Sequence, residues 1–213
     1  MARNPGRING RVIGIDLDNT LLTYDGLLHR LALEQRLIPA PLPRNKTAVR
    51  DAVRQLPDGE ILWQRLQALA YGPMIHQAEP SPGVFSFLKR CRDKGDVVHV
   101  ISHKTEYAAQ DRNRCHLHDA AMGWLEDNGF FDPDGGGLIR ANIHFLPSRA
   151  EKIQRIKALH CCYFIDDLRE TFMEAGFPRE TVGILYNSQF GPLSGPGLKT
   201  AGSFQEVETI VFG

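Results

Sequence analysis

The stretch "RVIGIDLDNTLL", residues 11 to 22, decides the fold class of this chain. Its apolar run shows no polar alternation, which reads as a strand covered on both faces, and two carboxylates, Asp16 and Asp18, end it. In an extended chain residues i and i+2 face the same side, so the two acids converge if the strand continues through them. Aspartates also end strands as turn formers, and "DNT" by itself is an ordinary turn signal. The pair therefore takes its meaning from the rest of the chain.

Four further apolar runs follow: "VVHVIS" (97 to 102), "IHFL" (143 to 146), "CCYFID" (161 to 166) and "TVGILY" (181 to 186). Helical patterns lie between them. In "GVFSFLKRCRDKG" Phe87, Leu88 and Cys91 share a face, and in "AEKIQRIKALH" Ile153, Ile156 and Leu159 do. Strands alternating with helices predict an α/β fold, a Rossmann-like parallel five-stranded sheet with helices on both faces. In such sheets ligands bind beyond the carboxyl ends of the strands.

The interval after the first strand breaks the alternation. It holds three helical patterns, "GLLHRLALEQRLI", "RNKTAVRDAVRQL" with Val49, Ala52, Val53 and Leu56 in phase, and "EILWQRLQALAY" with Leu62, Leu66 and Leu69 in phase. The joints "PAPLPR" and "EPSPG" bracket the latter two. The expected organisation is a core of residues 1–22 and 82–213 with a small all-helical insertion over 23–81. A second insertion, about 103 to 142, carries the turn signal "DPDGGG", which neither follows a strand nor opens a helix and so gains no phosphate-binding role.

With 213 residues, 42% hydrophobic and 23% charged, the chain fits a soluble globular protein with one good-sized core. Its 25 basic and 25 acidic side chains cancel, so no net field steers it to nucleic acid or an anionic membrane. The first residues lack the apolar stretch of a signal peptide, and no window reaches the length of a membrane span, so a cytoplasmic location is expected. Cys91, Cys115, Cys161 and Cys162 form no C-x-x-C pair and read as reduced thiols of the core. "RCHLH" offers Cys115, His116 and His118, but no fourth ligand lies at zinc spacing.

The chemistry-bearing residues fall at the ends of the predicted strands. Ser102 closes the second, Asp166 and Asp167 close the fourth, and Lys152 lies in the first turn of a helix that opens toward the same edge. A lysine there opposes the helix dipole, which favours an anionic partner nearby. Each residue has a bland reading: Ser102 as a helix cap, Lys152 as a solvated charge, Asp167 as an N-cap. The bland readings do not account for all of them on one edge in this order.

With these residues in view the sequence resembles the haloacid dehalogenase-like (HAD) superfamily. Its motif D-x-D-x-T matches "DLDNT", Asp16 to Thr20; its second motif matches Ser102, its third Lys152 and its fourth "YFIDDL". The likeness covers residues 11 to 22 and 80 to 186, and the helical insertion is similar to the superfamily's C1 cap. It implies an aspartyl-phosphate route for hydrolysis of a small-molecule phosphate ester, a reaction whose catalysis can require rate enhancements approaching ~10²¹. By the resemblance Asp16 is the nucleophile and Asp18 the general acid and base, its protonation favoured by neighbouring acids. Lys152 and Ser102 hold the transferring oxygens, and Thr20 steadies the loop. Mg²⁺ is expected on Asp16, the backbone carbonyl of Asp18 and Asp167, with Asp166 as a near neighbour. The acid at position 18 implies a phosphatase and not a dehalogenase. His103 and Lys104, which follow Ser102, are candidate substrate contacts, Lys104 is also a rival to Lys152, and Arg112 and Arg114 are candidates for a second anionic group. Two other readings stand beside this one: a phosphotransferase of the same fold, and a binding or regulatory module with little turnover.

Overall fold

The structure, a computed structural model, describes residues 10–111, 114–186 and 197–213. Its centre is β1 (Val12–Ile15), flanked by β4 (Val97–His103) and β6 (Tyr163–Asp166). Beyond β4 lies β5 (Ile143–Leu146), and beyond β6 lie β7 (Val182–Tyr186) and β8 (Leu198–Ala201), all parallel, in the order β5-β4-β1-β6-β7-β8. The sheet thus has six strands where the sequence reading predicts five. The sixth, "LKTA", pairs Gly183 to Leu198 and Tyr186 to Ala201 as an edge strand, and its exposed Lys199 and two half-buried positions leave no apolar run to read.

Chain order runs outward from β1 through β4 to β5, then crosses to β6 and runs outward the other way. The carboxyl end of β1 is therefore the point where the strand order reverses, the crevice in which open α/β sheets bind ligands. Close strand packing fixes this centre. At Gly14 an added Cβ would come 2.6 Å from the Phe164 ring, so the position takes no side chain.

Helices α4 (Val84–Asp93) and α8 (Phe204–Phe212) pack together on one face of the sheet, and α6 (Arg149–Ala158) covers the other. Phe87, Leu88 and Cys91 are buried as the periodicity of α4 predicts, each large apolar side chain contributing about 1.5–3 kcal/mol by leaving water. Ile153 and Ile156 of α6 pack with Ile101, Cys161 and Phe164. The short α7 (Arg169–Met173) follows β6, and its Phe172 joins that cluster.

The helical insertion begins and ends on a two-stranded antiparallel ribbon, β2 (Leu22–Thr23) with β3 (Glu79–Pro80). Between them α1 (Asp25–Glu34), α2 (Lys46–Arg54) and α3 (Gly59–Tyr71) pack on one another. The first of these helices is shorter than its apolar pattern: Arg36, with φ 56°, turns left-handed just past Glu34. Helix α2 starts at Lys46 because the Asn45 side chain accepts a hydrogen bond from the Ala48 amide at 2.8 Å. In α3 the buried stripe is Trp63, Leu66 and Ala70, while Leu62 and Leu69 are half-buried on its flanks.

The region from 103 to 142 holds an unforeseen helix, α5 (Leu117–Asp127), whose buried Leu117, Ala121, Trp124 and Leu125 follow helical spacing. Its Trp124 indole donates to the Ala78 carbonyl at 3.1 Å, tying α5 to the residue before β3. The cysteines also depart from expectation: Cys91 and Cys161 are buried, but Cys115 is half-buried and Cys162 exposed, since successive residues entering β6 point to opposite sides. Among the described residues no helix is long and apolar enough to cross a membrane.

Candidate active site

The ladder of β1 extends one residue past Ile15, because the Asp16 amide donates to the Ile165 carbonyl of β6 at 2.8 Å. The chain then turns over the Leu17 carbonyl, which accepts from the amides of Thr20, Leu21 and Leu22 at 3.3, 3.0 and 3.2 Å. Asn19 takes the left-handed conformation in this turn, with φ 61°, which an asparagine adopts more readily than most residues. The Thr20 hydroxyl was expected to steady this loop. It is buried with no hydrogen-bond partner among the described residues, and the Leu17 carbonyl does that work.

Asp16 meets the acids of β6 at the sheet edge. One carboxylate oxygen from each of Asp16, Asp166 and Asp167 lies within 4.8 Å of the others. Lys152 enters from α6, where Ser148 caps the helix by accepting from the Glu151 amide at 3.2 Å. Its ammonium donates to Asp16 Oδ1 at 2.6 Å and to Asp166 Oδ2 at 2.7 Å, all three residues being buried. The other Asp166 oxygen accepts from the Leu168 amide at 2.8 Å, which fixes the carboxylate at the end of β6. Asp167 is held differently: Lys46, the first residue of α2, reaches across from the helical insertion to its Oδ2 at 3.2 Å.

Asp18 belongs to a separate cluster. Lys104 Nζ lies 3.0 Å from its Oδ1 and 2.8 Å from its Oδ2, and the Tyr24 hydroxyl donates to Oδ1 at 2.7 Å. The two lysines that compete in sequence for one role thus serve different acids, Lys152 on Asp16 and Asp166, Lys104 on Asp18. A sequence expectation also changes here: the closest charge to Asp18 is an ammonium and not another carboxylate. Ser102 is buried near the end of β4, opposite Phe145. His103, the last residue of β4, is exposed on the rim; partial burial of its ring, and then the Lys152 and Arg149 cations, lower its pKa. Arg112 lies outside the described residues, and Arg114 stacks on the Tyr107 ring at 4.5 Å.

The electrostatics favour an additional cation. Burial pushes Asp16 up to about 7 and Asp167 up to about 6, with Asp166 adding to both shifts, against the opposing pull of Lys152 on the first and Lys46 on the second. Burial alone would depress Lys152, but Asp16 and Asp166 hold its ammonium above the ordinary range. Four carboxylates, Asp16, Asp18, Asp166 and Asp167, face three ammonium groups, Lys46, Lys104 and Lys152, so one negative charge is uncompensated when all are ionised. The carboxylate oxygens gathered here would suit a hard divalent cation, which would offset the repulsion among them.

Beside Asp167 a cavity of about 320 Å³ opens between the helical insertion and the sheet edge, lined among others by Asn19, Asp25, Lys46, Thr47 and Tyr186. Lys46, Tyr24 and Tyr71 are site residues that sequence reasoning missed. Only the asparagine that caps α2 marks Lys46 as the start of a helix, and nothing marks that helix end as facing the sheet.

No protein-family model and no curated protein matches this chain. Solved structures do. The HAD-hydrolase YfnB from Bacillus subtilis, bound to magnesium, superposes with a TM-score of 0.57 at 15% identity, covering 96% of this chain and 99% of that one. A HAD family hydrolase from Deinococcus radiodurans with bound phosphate and sodium gives 0.52 at 17% identity, covering 95% of each chain. A structure described as a dehalogenase gives 0.52 at 15% identity, covering 95% of this chain and 97% of that one. At these identities the likeness shows the fold, and the chain has that of the HAD-like hydrolases.

Proposed function

We propose that this chain is a Mg²⁺-dependent phosphatase that hydrolyses a small phosphorylated metabolite through an aspartyl-phosphate. The observation that carries the reading is the cluster of buried Asp16 and Asp166 with half-buried Asp167, Lys152 being bridged between the first two. The magnesium in YfnB and the phosphate in the Deinococcus radiodurans hydrolase support it, as structures of the same fold. In this reading residues 1–22 and 82–213 form the core and 23–81 the cap. The site belongs to a cytoplasmic enzyme whose balanced charge suits a small ester over nucleic acid or membrane.

Asp16 attacks phosphorus, forming its O–P bond as the ester P–O bond breaks. Asp18, protonated by the water of the preceding turnover, gives that proton to the leaving oxygen and takes one back from the next water as it attacks phosphorus, so that Asp16 is regenerated and inorganic phosphate departs. Lys152 holds the nucleophile in line and, with Ser102, meets the transferring oxygens. Asp16, Asp167 and the Asp18 backbone carbonyl would hold Mg²⁺, with Asp166 beside them, and the ion when bound supplies charge neutralisation for the approach of carboxylate to phosphate. The cavity beside Asp167, about 320 Å³ and walled on one side by the insertion, has room for a small leaving group and favours small substrates over large ones.

Asp18 favours this chemistry over the dehalogenation that one neighbour's name records, because halide departs without a proton whereas an alkoxide needs one. A phosphatase screen over metabolite phosphates with Mg²⁺, run beside Asp16→Asn, tests the proposal. Activity unchanged by that substitution would exclude Asp16 as the nucleophile.

A further inference from the structure

Asp18 is the proposed acid and base, yet both of its carboxylate oxygens are already engaged, and by residues outside the four motifs. Lys104 spans the two oxygens at 3.0 and 2.8 Å, and Tyr24 adds a third contact at 2.7 Å. The lysine is built in with unusual completeness. Its residue is 4% exposed and its side chain 2%, and its amide donates to the Leu146 carbonyl at the end of β5 at 3.0 Å. Its own carbonyl meets His118 Nε2 of α5 at 2.9 Å. A stem anchored on both sides and a buried head give the ammonium little freedom to swing toward another partner. Burying such a cation is costly unless it is paired, and Asp18 is its carboxylate.

A single residue of the helical insertion touches both groups that hold Asp18. The ring of Tyr71, the last residue of α3, lies 5.1 Å from Lys104 Nζ and 4.4 Å from the Tyr24 ring. Tyr24 is itself fully buried where β2 leads into α1. The arrangement is a clamp with two jaws and one common backing.

We propose that Lys104 and Tyr24 are positioning residues that aim the Asp18 carboxylate, with Tyr71 holding both in place, and that Lys104 does not bind substrate directly. This rests on the phosphatase reading above. It deepens that reading by assigning a support for the proton-transfer group that lies in none of its motifs. Misaiming a proton-transfer group lowers the rate of the step it serves and leaves substrate affinity nearly unchanged, whereas losing a substrate contact raises KM.

The experiment compares wild type, Lys104→Met, Lys104→Arg and Tyr24→Phe with Mg²⁺ on two substrates, an alkyl phosphate and p-nitrophenyl phosphate, whose phenolate departs without needing a proton. For Lys104→Met the expected result is a ~10²-fold or greater fall in kcat on the alkyl ester, at the scale of a positioned acid or base, with KM held within about twofold. On p-nitrophenyl phosphate the same variant should release a rapid burst near one nitrophenolate per site before slow turnover, because only the water-activating half then needs Asp18. Lys104→Arg should recover part of the loss. Tyr24→Phe keeps the ring and removes one contact, so it should show the same signature at smaller size and carries the test where Lys104→Met does not fold. A rise in KM with kcat intact, or equal losses on both esters without a burst, overturns the clamp. An active wild type with unchanged variants sinks the clamp alone. A wild type inert to both esters and to every phosphate of the metabolite screen sinks the phosphatase reading and the clamp together, and a screen hit takes the place of the alkyl ester in the comparison.

Discussion

The ammonium of Lys152 lies 2.6 Å from the carboxylate of Asp16, a contact between residues 136 positions apart in the chain. It joins α6 to the end of the central strand, and the same ammonium reaches Asp166 at 2.7 Å. Three charges of the candidate site are therefore held by one buried junction, and its consequences are measurable.

Replacing Lys152 by Met leaves Asp16 and Asp166 buried without their cation. Breaking a buried pair in this way costs about 3–5 kcal/mol, so the metal-free variant should unfold at distinctly lower urea than wild type. Saturating Mg²⁺ should restore part of the loss. A variant as stable as wild type would mean that the site is more open to water than the structure shows.

Mg²⁺ should stabilise the wild-type protein by linkage, about 2.7 kcal/mol at a hundredfold excess over Kd, read as a rise in Tm. Asp167→Asn should remove most of that rise, and NaCl at matched ionic strength serves as the control for screening alone. Retention of the full shift in Asp167→Asn would move the metal site away from the end of β6.

Turnover should fall by at least ~10³-fold in Asp16→Asn at a temperature where its melting curve shows the variant still folded. In wild type quenched during turnover, hydroxylamine should trap an acyl-phosphate at one equivalent per site or less. Its absence under conditions of active hydrolysis would argue for direct attack by water.

The histidine pair on β4 and β5 should govern acid sensitivity. His99 Nδ1 and His144 Nε2 are 3.0 Å apart in stacked rings, and burial, then Arg155, lowers both, His144 to about 4 with His99 adding to its shift. His144 takes up its proton near pH 6.5 in the unfolded chain but resists until about 4 in the folded one, so stability is lost as pH falls through that window. Urea midpoints of His144→Gln should decline less steeply between pH 6.5 and 4 than those of wild type. Equal slopes would place the acid sensitivity elsewhere.

Gly14→Ala probes the centre of the sheet. The new methyl group would lie 2.6 Å from the Phe164 ring, where overpacking costs about 1–3 kcal/mol, so the midpoint of unfolding should fall without a change in slope. A neutral result would show that Phe164 has room to turn aside.

Much of this was legible in the sequence. Apolar runs without alternation marked five strands of the sheet, and the periodicity of α4 marked the face it buries. The sixth strand was not legible, because Lys199 and Thr200 lie at an edge where one side of the ladder has no partner and hydrophobic burial imposes little pattern. Helix α5 was present in the spacing of Leu117, Ala121, Trp124 and Leu125, but a region flanked by turn signals hid it. Cys162 shows the converse: its apolar neighbourhood suggests burial, but the chain there alternates and leaves it exposed.

The acids of the candidate site were placed by the sequence alone, because a strand that ends in acids delivers them to the sheet edge whatever packs around it. Which charge meets which was decided by the tertiary structure. Nothing along the chain says which acid Lys46, Lys104 and Lys152 will each meet, and only the folding of α2, β4 and α6 about one edge gives Asp167, Asp18 and Asp16 their separate partners. The reason is physical: the local pattern of a chain reports which side chains leave water, while the pairing of buried charges depends on distances of a few ångströms between segments remote in sequence.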